Sequence, residues 1–238
     1  MSLNPELQQK IDTARNLLLD IGKDYSPATF ANSFGAEDMV LTDLICKHAP
    51  EIEIFTLDTG RLPAETYTLM QETLQRYGRR IVAYFPEYKA VEQYLREHGP
   101  NAFYESVELR KQCCHIRKVE PLKRALQGKK AWITGLRREQ APTRTDLSVS
   151  EWDAGNGLQK FNPLIDWTNQ DIWNYIRHFD VPYNALHDQH YPSIGCAPCT
   201  RAITVGEDIR AGRWWWENPE GKECGLHVKK SAKSAAHA

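Results

Sequence analysis

Short apolar strand patterns alternate with amphipathic helix patterns up to about residue 135, and this alternation constrains the fold more than any other feature. Helical spacing predicts helices over 4–21, 36–48, 87–97 and 113–127, and a helix that begins at Pro63 and ends near Tyr77. Strand patterns occupy 27–33, 52–57, 81–85 and 131–134. Such alternation predicts an α/β fold, with a mostly parallel sheet flanked by helices.

Polar, glycine-containing segments follow three of the predicted strands. They are Ser33-Phe34-Gly35, Leu57-Asp58-Thr59-Gly60 and Gly135-Leu136-Arg137-Arg138. Parallel sheets bind ligands beyond the carboxyl ends of their strands, so these segments are candidate ligand loops. The first lies at a strand-to-helix turn, where backbone amides bind oxyanions and Gly35 permits close approach. It lacks the G-K-[ST] ending of a Walker loop and has few glycines, which favours a nucleotide with a single phosphate.

The pattern changes after residue 140. Residues 143–157 are polar and predict irregular structure, whereas Thr168 is the predicted N-cap of a helix that ends at Phe179. Residues 184–227 show little periodicity, and the small, basic residues 229–238 predict disorder. We therefore expect a nucleotide-binding α/β domain over 1–216 and a mobile C-terminal segment over 217–238.

Charge and hydropathy exclude several classes of function. The formal net charge of −1 gives no overall electrostatic basis for binding nucleic acid. No apolar run approaches the roughly 20 residues that a membrane span needs, and the N-terminus lacks the pattern of a signal peptide. We therefore expect a cytoplasmic protein whose thiols stay reduced.

Four of the six cysteines have the spacing of metal ligands. Cys196 and Cys199 form a C-x2-C knuckle, and the adjacent pair Cys113 and Cys114 supplies two more thiols. Neighbouring side chains on a helix diverge by about 100°, which suits separate irons of a [4Fe–4S] cluster better than a single zinc ion. The alternative is that the adjacent pair belongs to the core and only the knuckle binds metal.

Cys224 has the surroundings of a reactive thiol. It follows Gly221 and precedes Gly225, and the nearby Lys222 and His227 favour the nucleophilic thiolate, although Glu223 opposes it. The alternative is a cysteine of no consequence in a tail. Cys46, in contrast, lies on the apolar face of the predicted helix 36–48 and is expected in the core.

Several of these segments together resemble assimilatory adenylyl-sulfate (APS) reductases. The matching segments are Ser33–Asp38, Leu57–Gly60, Cys113-Cys114-x3-Lys118, Thr134–Arg138, Cys196-x2-Cys199, Arg210-x2-Arg213 and Glu223-Cys224-Gly225-Leu226-His227. The resemblance runs from about residue 26 to 228. The related phosphoadenylyl-sulfate (PAPS) reductases share the first loop and the E-C-G-[LI]-H tail, but they typically lack the four cluster cysteines.

The resemblance implies a Rossmann-like adenine-nucleotide α-hydrolase (PP-loop) fold and a [4Fe–4S] cluster on Cys113, Cys114, Cys196 and Cys199. It also implies a two-step reaction. Cys224 attacks the sulfur of APS, AMP leaves, and an S-sulfocysteine remains on the enzyme. Thioredoxin, or glutaredoxin in its place, then reduces this adduct and frees sulfite for sulfate assimilation and cysteine biosynthesis.

Basic side chains are needed because both the thiolate and the phosphosulfate are anions. The candidates are Lys118, Arg144, Arg210 and Arg213. For the three arginines, surface ion pairing with Glu207, Asp208 or Glu217 is the alternative role. By family analogy Ser33, Gly35, Leu57 and Gly135 line the nucleotide, with the backbone near Leu57 reading adenine. His227 either orients or protonates a group near Cys224, or only packs.

Three other functions fit parts of the sequence. A PAPS reductase, or an enzyme that accepts both nucleotides, is the nearest alternative. An ATP-dependent tRNA thiolase uses the same nucleotide fold, but the near-neutral charge and the glycine-poor loop count against it. A zinc-stabilised binding module is the non-enzyme alternative. The sequence leaves the oligomeric state open, and a homo-oligomer is compatible with it.

Overall fold

The computed structural model describes residues 3–140 and 147–218, and its framework is one six-stranded sheet. The strands are β1 (Ala28–Ala31), β2 (Glu53–Leu57), β3 (Val82–Tyr84), β4 (Ala131–Ile133), β5 (Ser150–Asp153) and β6 (Leu158–Phe161). Their order in the sheet is β3-β2-β1-β4-β6-β5. All neighbouring strands are parallel except β5, which runs antiparallel to β6.

Helices cover both faces of this sheet. They are α1 (Pro5–Asp24), α2 (Ala36–His48), α3 (Ala64–Tyr77), α4 (Tyr88–His98), α5 (Val107–Cys114), α6 (Glu120–Leu126) and α7 (Asn169–Phe179). Short 3-10 helices occupy Ala102–Tyr104, Arg138–Gln140, Ala185–Gln189 and Ala197–Cys199. No helix among the described residues combines the length and apolar character needed to cross a bilayer.

Alternating strand residues divide the core into two apolar clusters. Phe30, Ile54 and Ile133 belong to the larger cluster, which includes residues of α1, α2 and α7. Phe55 and Trp132 belong to the smaller cluster, with Leu122, Ala125 and Leu126 of α6. Successive side chains of a strand point to opposite faces, so the parallel strands are apolar on both sides.

The strand order reverses between β1 and β4, which are direct neighbours. Chain connections leave such a pair of strands in opposite directions, and this opens a crevice beyond their carboxyl ends. Ser33 follows β1 and Gly135 follows β4, so the topology brings these two predicted ligand loops together.

The predicted α/β class is confirmed, and most predicted elements lie within a few residues of their observed positions. Thr168 caps α7 as predicted. Its side chain accepts a hydrogen bond from the backbone N–H of Asp171, whose carboxylate accepts one from the backbone N–H of Thr168. These two reciprocal bonds form a capping box.

The helix predicted over 113–127 is wrong at its start and in its continuity. The helical stretch begins with α5 at Val107, where the Ser106 side chain accepts a hydrogen bond from the backbone N–H of Leu109. A π-helical segment, His115–Val119, then separates α5 from α6. The apolar pattern of α6 was visible in the sequence, whereas α5 has few buried residues and lacked a clear periodic signal.

The irregular structure predicted over 143–157 is also wrong in part, because β5 and β6 form a hairpin. The Asp153 side chain accepts hydrogen bonds from the backbone N–H groups of Gly155 and Asn156, and Gly157 has φ 71°. These are the residue types that a tight turn requires. The polar sequence of β5 obscured the strand because β5 is an edge strand with exposed side chains.

A buried carboxylate joins three helices behind the sheet. Asp43 on α2 is fully buried and accepts hydrogen bonds from the hydroxyls of Tyr175 on α7, at 2.6 Å, and Tyr77 on α3, at 2.9 Å. It also pairs with Lys47 at 2.7 Å. Burial, followed by the charge of Asp43, raises the pKa of both tyrosines, so they stay protonated donors.

Replacing Asp43 by alanine is expected to lower the free energy of unfolding by about 3–5 kcal/mol, because it leaves buried polar groups unpaired. Urea denaturation measures this change. Asp12→Ala is the matched control: Asp12 forms an exposed pair with Arg15 at 2.9 Å, and its loss is expected to lower stability by less than about 1 kcal/mol. Equal effects of the two substitutions would contradict this role for Asp43.

Candidate active site

The loop after β1 is held in a strained conformation by its own side chains. Phe34 has φ 62°, a value in the left-handed region that non-glycine residues rarely adopt. Its ring is buried, and its backbone N–H donates to Asn32 Oδ1 at 2.6 Å. Gly35 follows with φ −73° and starts α2, and a Cβ built on it would meet nothing nearer than 3.5 Å. A Cβ at Gly35 would therefore make only ordinary van der Waals contacts, with Ser33 Oγ and Glu37 Oε2.

A buried carboxyl group ties this loop to the loop after β4. Asp38 Oδ2 accepts hydrogen bonds from the backbone N–H of Ser33 at 2.7 Å and from its hydroxyl at 2.6 Å. A Cβ at Gly135 would overlap the Asp38 carboxyl, so only glycine fits there. Burial raises the pKa of Asp38 to about 7, although the hydrogen bonds from Ser33 oppose this rise.

A cleft of about 860 Å³ opens above these two loops. Seven of the predicted site residues line it: Ser33, Gly35, Leu57, Lys118, Gly135, Arg210 and Arg213. Phe55, Leu122 and Trp132 of the smaller apolar cluster also line it. Five lysine or arginine side chains line the cleft, including Arg137 and Arg177, and acidic side chains such as Glu37 and Glu207 line it as well. The cleft therefore combines an apolar surface with several cationic groups, which suits an anionic ligand that has an apolar part.

The four predicted ligand cysteines, Cys113, Cys114, Cys196 and Cys199, line a second, smaller cavity. Cationic side chains surround it: Arg61, Arg110, Arg117 and Lys118. Lys118 lines both the cleft and this cysteine cavity. The structure thus brings together the four cysteines, and it places the predicted lysine at the boundary of the two cavities.

The loop after β2 links the cleft to the cysteine cavity. Leu57 lines the cleft, whereas Thr59 Oγ1 lies 3.3 Å from the sulfur of Cys196. The buried guanidinium of Arg117 donates to the carbonyl oxygen of Thr59 at 2.6 Å. The carbonyl oxygen of Arg61 accepts from the backbone N–H of Ala197 at 2.8 Å. The loop that lines the cleft is therefore in direct contact with the segment that carries Cys196.

Comparison of the chain with known proteins identifies its family. The phosphoadenosine phosphosulfate reductase domain matches residues 27–202. Proteins named adenosine 5'-phosphosulfate reductase are 58% identical in Allochromatium vinosum, over 92% of this chain and 86% of the relative, and 55% identical in Burkholderia cepacia, over 95% and 91%. The chain belongs to the APS/PAPS reductase family.

Solved structures agree with this family and its fold. The PAPS reductase of Candida auris superposes with a TM-score of 0.69 at 27% identity, over 85% of this chain and 99% of that one. The FMN adenylyltransferase of Candida glabrata, with a TM-score of 0.59 at 16% identity over 94% and 80%, shares the fold alone. The predicted family and PP-loop fold are therefore confirmed, and the reductase class of activity is supported.

The side chains that line the cysteine cavity are of the type that binds the [4Fe–4S] cluster implied by the resemblance. Iron–sulfur clusters bind four cysteine thiolates, and four thiols line this cavity. Among residues 3–140 and 147–218, no three Cys, His, Asp or Glu side chains are arranged to hold a metal ion. The fit therefore rests on which side chains face the cavity and on their charge, not on a preformed ligand geometry.

Burial disfavours free thiolates in the cysteine cavity, and the cations around it oppose this effect. Burial raises the pKa of the Cys199 thiol to about 12, and the charges of Lys118 and Arg213 oppose this rise. Burial also raises the pKa of Cys113, against the opposing charge of Arg117. Thiolate formation here thus requires a positive partner, and metal binding would release protons.

Three predicted residues, Arg144, Cys224 and His227, lie outside the described residues. The sequence reasoning also missed contributors inside them: Arg61, Arg117 and the carboxyl of Asp38. Arg117 directly precedes Lys118, and Asp38 is the last residue of the loop motif Ser33–Asp38. The sequence therefore placed both residues near the site, but it did not indicate what either side chain does there. Cys46 packs against the larger apolar cluster, as predicted.

The raised pKa of Asp38 predicts a stability change with pH. An acid whose pKa is raised by folding contributes stability at low pH, and that contribution is lost as pH rises from about 4 through about 7. Relative to Asp38→Asn, the native chain should lose about 4 kcal/mol over this window. Titration of the Asp38 carboxyl carbon by 13C NMR should give a midpoint near 7. A midpoint near 4 would contradict this assignment.

Proposed function

We propose that this protein is an APS reductase that transfers the sulfo group of APS to Cys224 and releases AMP and then sulfite. The observation that carries this proposal is the position of Lys118, which lines both the cleft and the cysteine cavity. The names of the most similar relatives support APS as the substrate. PAPS is a second candidate substrate, because a PAPS reductase shares the fold at 27% identity.

The nucleotide is proposed to bind across the strand-order reversal. Ser33 and Gly35 line the cleft beside the N-terminus of α2, whose backbone amides favour a phosphate oxygen. Leu57 and Gly135 border the cleft on either side of β1. The glycine at position 135 lets the two loops approach through Asp38. Because burial raises the pKa of Asp38 to about 7, this carboxyl is only partly ionised near neutral pH and adds less negative charge beside the phosphate.

Three cationic side chains of the cleft, Lys118, Arg210 and Arg213, are proposed to neutralise the phosphosulfate, together with Arg144. Two of the three carboxylates offered as alternative partners pair with other cations: Glu207 with Arg201, and Glu217 with Arg110. Positive charge at this point lowers the repulsion between the Cys224 thiolate and the anionic sulfur centre.

The proposed reaction balances in two steps. The Cys224 thiolate forms a bond to the sulfate sulfur as the sulfur–oxygen bond to the phosphate breaks, and AMP takes the electron pair. A thiolate of thioredoxin then attacks the Cys224 sulfur and sulfite leaves with the bonding pair. The second thioredoxin thiol resolves the mixed disulfide, so the dithiol is oxidised and the sulfur centre is reduced. Glutaredoxin is the alternative donor, and His227 is proposed to orient groups near Cys224.

The four cavity cysteines are proposed to hold a [4Fe–4S] cluster. When bound, the cluster would contribute negative charge beside Lys118 and join residues 113–118 to residues 196–199. Electron transfer through it is unnecessary, because thioredoxin supplies both electrons. We place this enzyme in the cytoplasm, in assimilatory sulfate reduction for cysteine biosynthesis, because its chemistry requires reduced thiols.

Incubation with APS in the absence of thioredoxin should add one SO3 group to the protein. Mass spectrometry of the intact chain and its peptides is expected to locate the adduct on Cys224. Cys224→Ser should abolish the adduct and sulfite release while leaving the iron content unchanged. Sulfite production by the Cys224→Ser variant at the native rate would refute the proposed mechanism. Parallel rates with PAPS would define the nucleotide preference.

Anaerobically purified protein should be brown and contain about four irons and four sulfides per chain. Cys199→Ser is expected to lose most of this iron, because Cys199 lines the cysteine cavity. Cys46→Ser is the matched control, because Cys46 packs against the larger apolar cluster. The Cys46→Ser variant should therefore keep the iron content of the native protein. A colourless protein that contains one zinc ion would instead support the binding-module alternative.

A further inference from the structure

A buried ion pair fixes the chain next to the end of the described residues. Glu217 Oε1 lies 2.8 Å from Arg110 Nε, and Oε2 lies 2.7 Å from Arg110 Nη2. Both side chains are almost inaccessible, at 0% exposure for Arg110 and 4% for Glu217. This two-bond geometry is the most directional form that an arginine–carboxylate pair takes.

The same arginine contacts the residues that precede Glu217. The guanidinium of Arg110 lies 4.6 Å from the ring centre of Trp214, and that of Arg213 lies 4.7 Å from the same ring. Trp214 is buried with φ 42°, and its backbone N–H donates to the carbonyl oxygen of Cys199 at 3.2 Å. A strained backbone of this kind persists only where its surroundings hold it firmly.

Arg110 also belongs to the helix that presents the cysteine pair. It lies on α5, three residues before Cys113, and it lines the cysteine cavity. Glu217 is therefore fixed relative to α5 and to the cavity beside it. The chain separation of 107 residues between Arg110 and Glu217 makes this a tertiary tie, not a local turn.

Stability alone is a weak reason for such a pair. Removing two charges from water is costly, and well-packed apolar residues often stabilise a protein equally well or better. An ion pair with two hydrogen bonds adds direction, which an apolar contact does not. The location of the pair then becomes informative, because Cys224 follows Glu217 by only seven residues.

We propose that the Arg110–Glu217 pair is a positioning device for the reaction, fixing the last described residues before Cys224 relative to the cysteine cavity. This inference rests on the proposed function. Seven residues span at most about 25 Å, so the origin of the segment limits where the thiolate can act. A fixed origin raises the effective concentration of Cys224 at the cleft and restricts its direction of approach. Arg110 and Glu217 are positioning residues and contact no reacting atom.

The first test uses the full cluster-containing chain and Glu217→Gln. Single-turnover formation of the Cys224 adduct at saturating APS is expected to slow by about 10- to 100-fold. The dissociation constant of AMP, measured by calorimetry, should change less than about twofold, because neither Arg110 nor Glu217 lines the cleft. Glu151→Gln is the matched control, since it breaks the Lys160–Glu151 pair of β5 and β6 and should leave both values unchanged.

The second test separates position from stability. The double variant Arg110→Met/Glu217→Leu removes both buried charges, whereas Glu217→Gln leaves the Arg110 charge buried. The thermal midpoint of the double variant should therefore lie closer to that of the native chain than the midpoint of Glu217→Gln does. Its rate of adduct formation, expressed per iron-loaded protein, is expected to stay low. Recovery of the rate together with the midpoint would overturn the proposal, as would a native rate in Glu217→Gln. Absence of any adduct in the native chain would instead overturn the proposed function itself.

Discussion

Lys118 borders both the cleft and the cysteine cavity, and with Arg213 it opposes the rise that burial causes in the pKa of the Cys199 thiol. Each cavity is suited to an anionic occupant, so the two occupants would repel each other without cations between them. Neighbouring contacts hold the segments on either side of Lys118 in place. Arg117 fixes the loop after β2, and that loop in turn contacts Cys196. The positive charge of Lys118, which borders both the cleft and the cysteine cavity, is thus the feature that the contacts of Arg117 and Thr59 support.

Sheet topology made half of the site predictable from sequence. Alternating patterns gave the parallel strands, and parallel strands bring the loops at Ser33, Leu57 and Gly135 to one edge. The cysteine spacing similarly predicted one shared cavity. The partners of Arg110 and Arg117 were not predictable, because they lie 107 and 58 residues away and depend on tertiary packing. The hairpin over 150–161 was hidden because its exposed edge strand has a polar sequence.

The strained loop after β1 shows why residue type alone misleads. Glycine adopts a positive φ more readily than any other residue, but here Phe34 carries the positive φ and Gly35 does not. Burial of the Phe34 ring and the hydrogen bond to Asn32 compensate for the strain. Packing decided the division of roles between these two neighbours, and single-residue propensity does not contain that information.

The π-helical segment His115–Val119 changes the helical rotation between α5 and α6, so side chains before and after it face different directions. Upstream of it, Cys113 and Cys114 face the cavity; downstream, Leu122 and Leu126 pack on the sheet. A regular helix of the same composition would rotate one of these groups by about 100° per residue of mismatch. Loss of a single residue here would therefore force a choice between ligand presentation and core packing, so the length of this stretch is constrained as strongly as its composition.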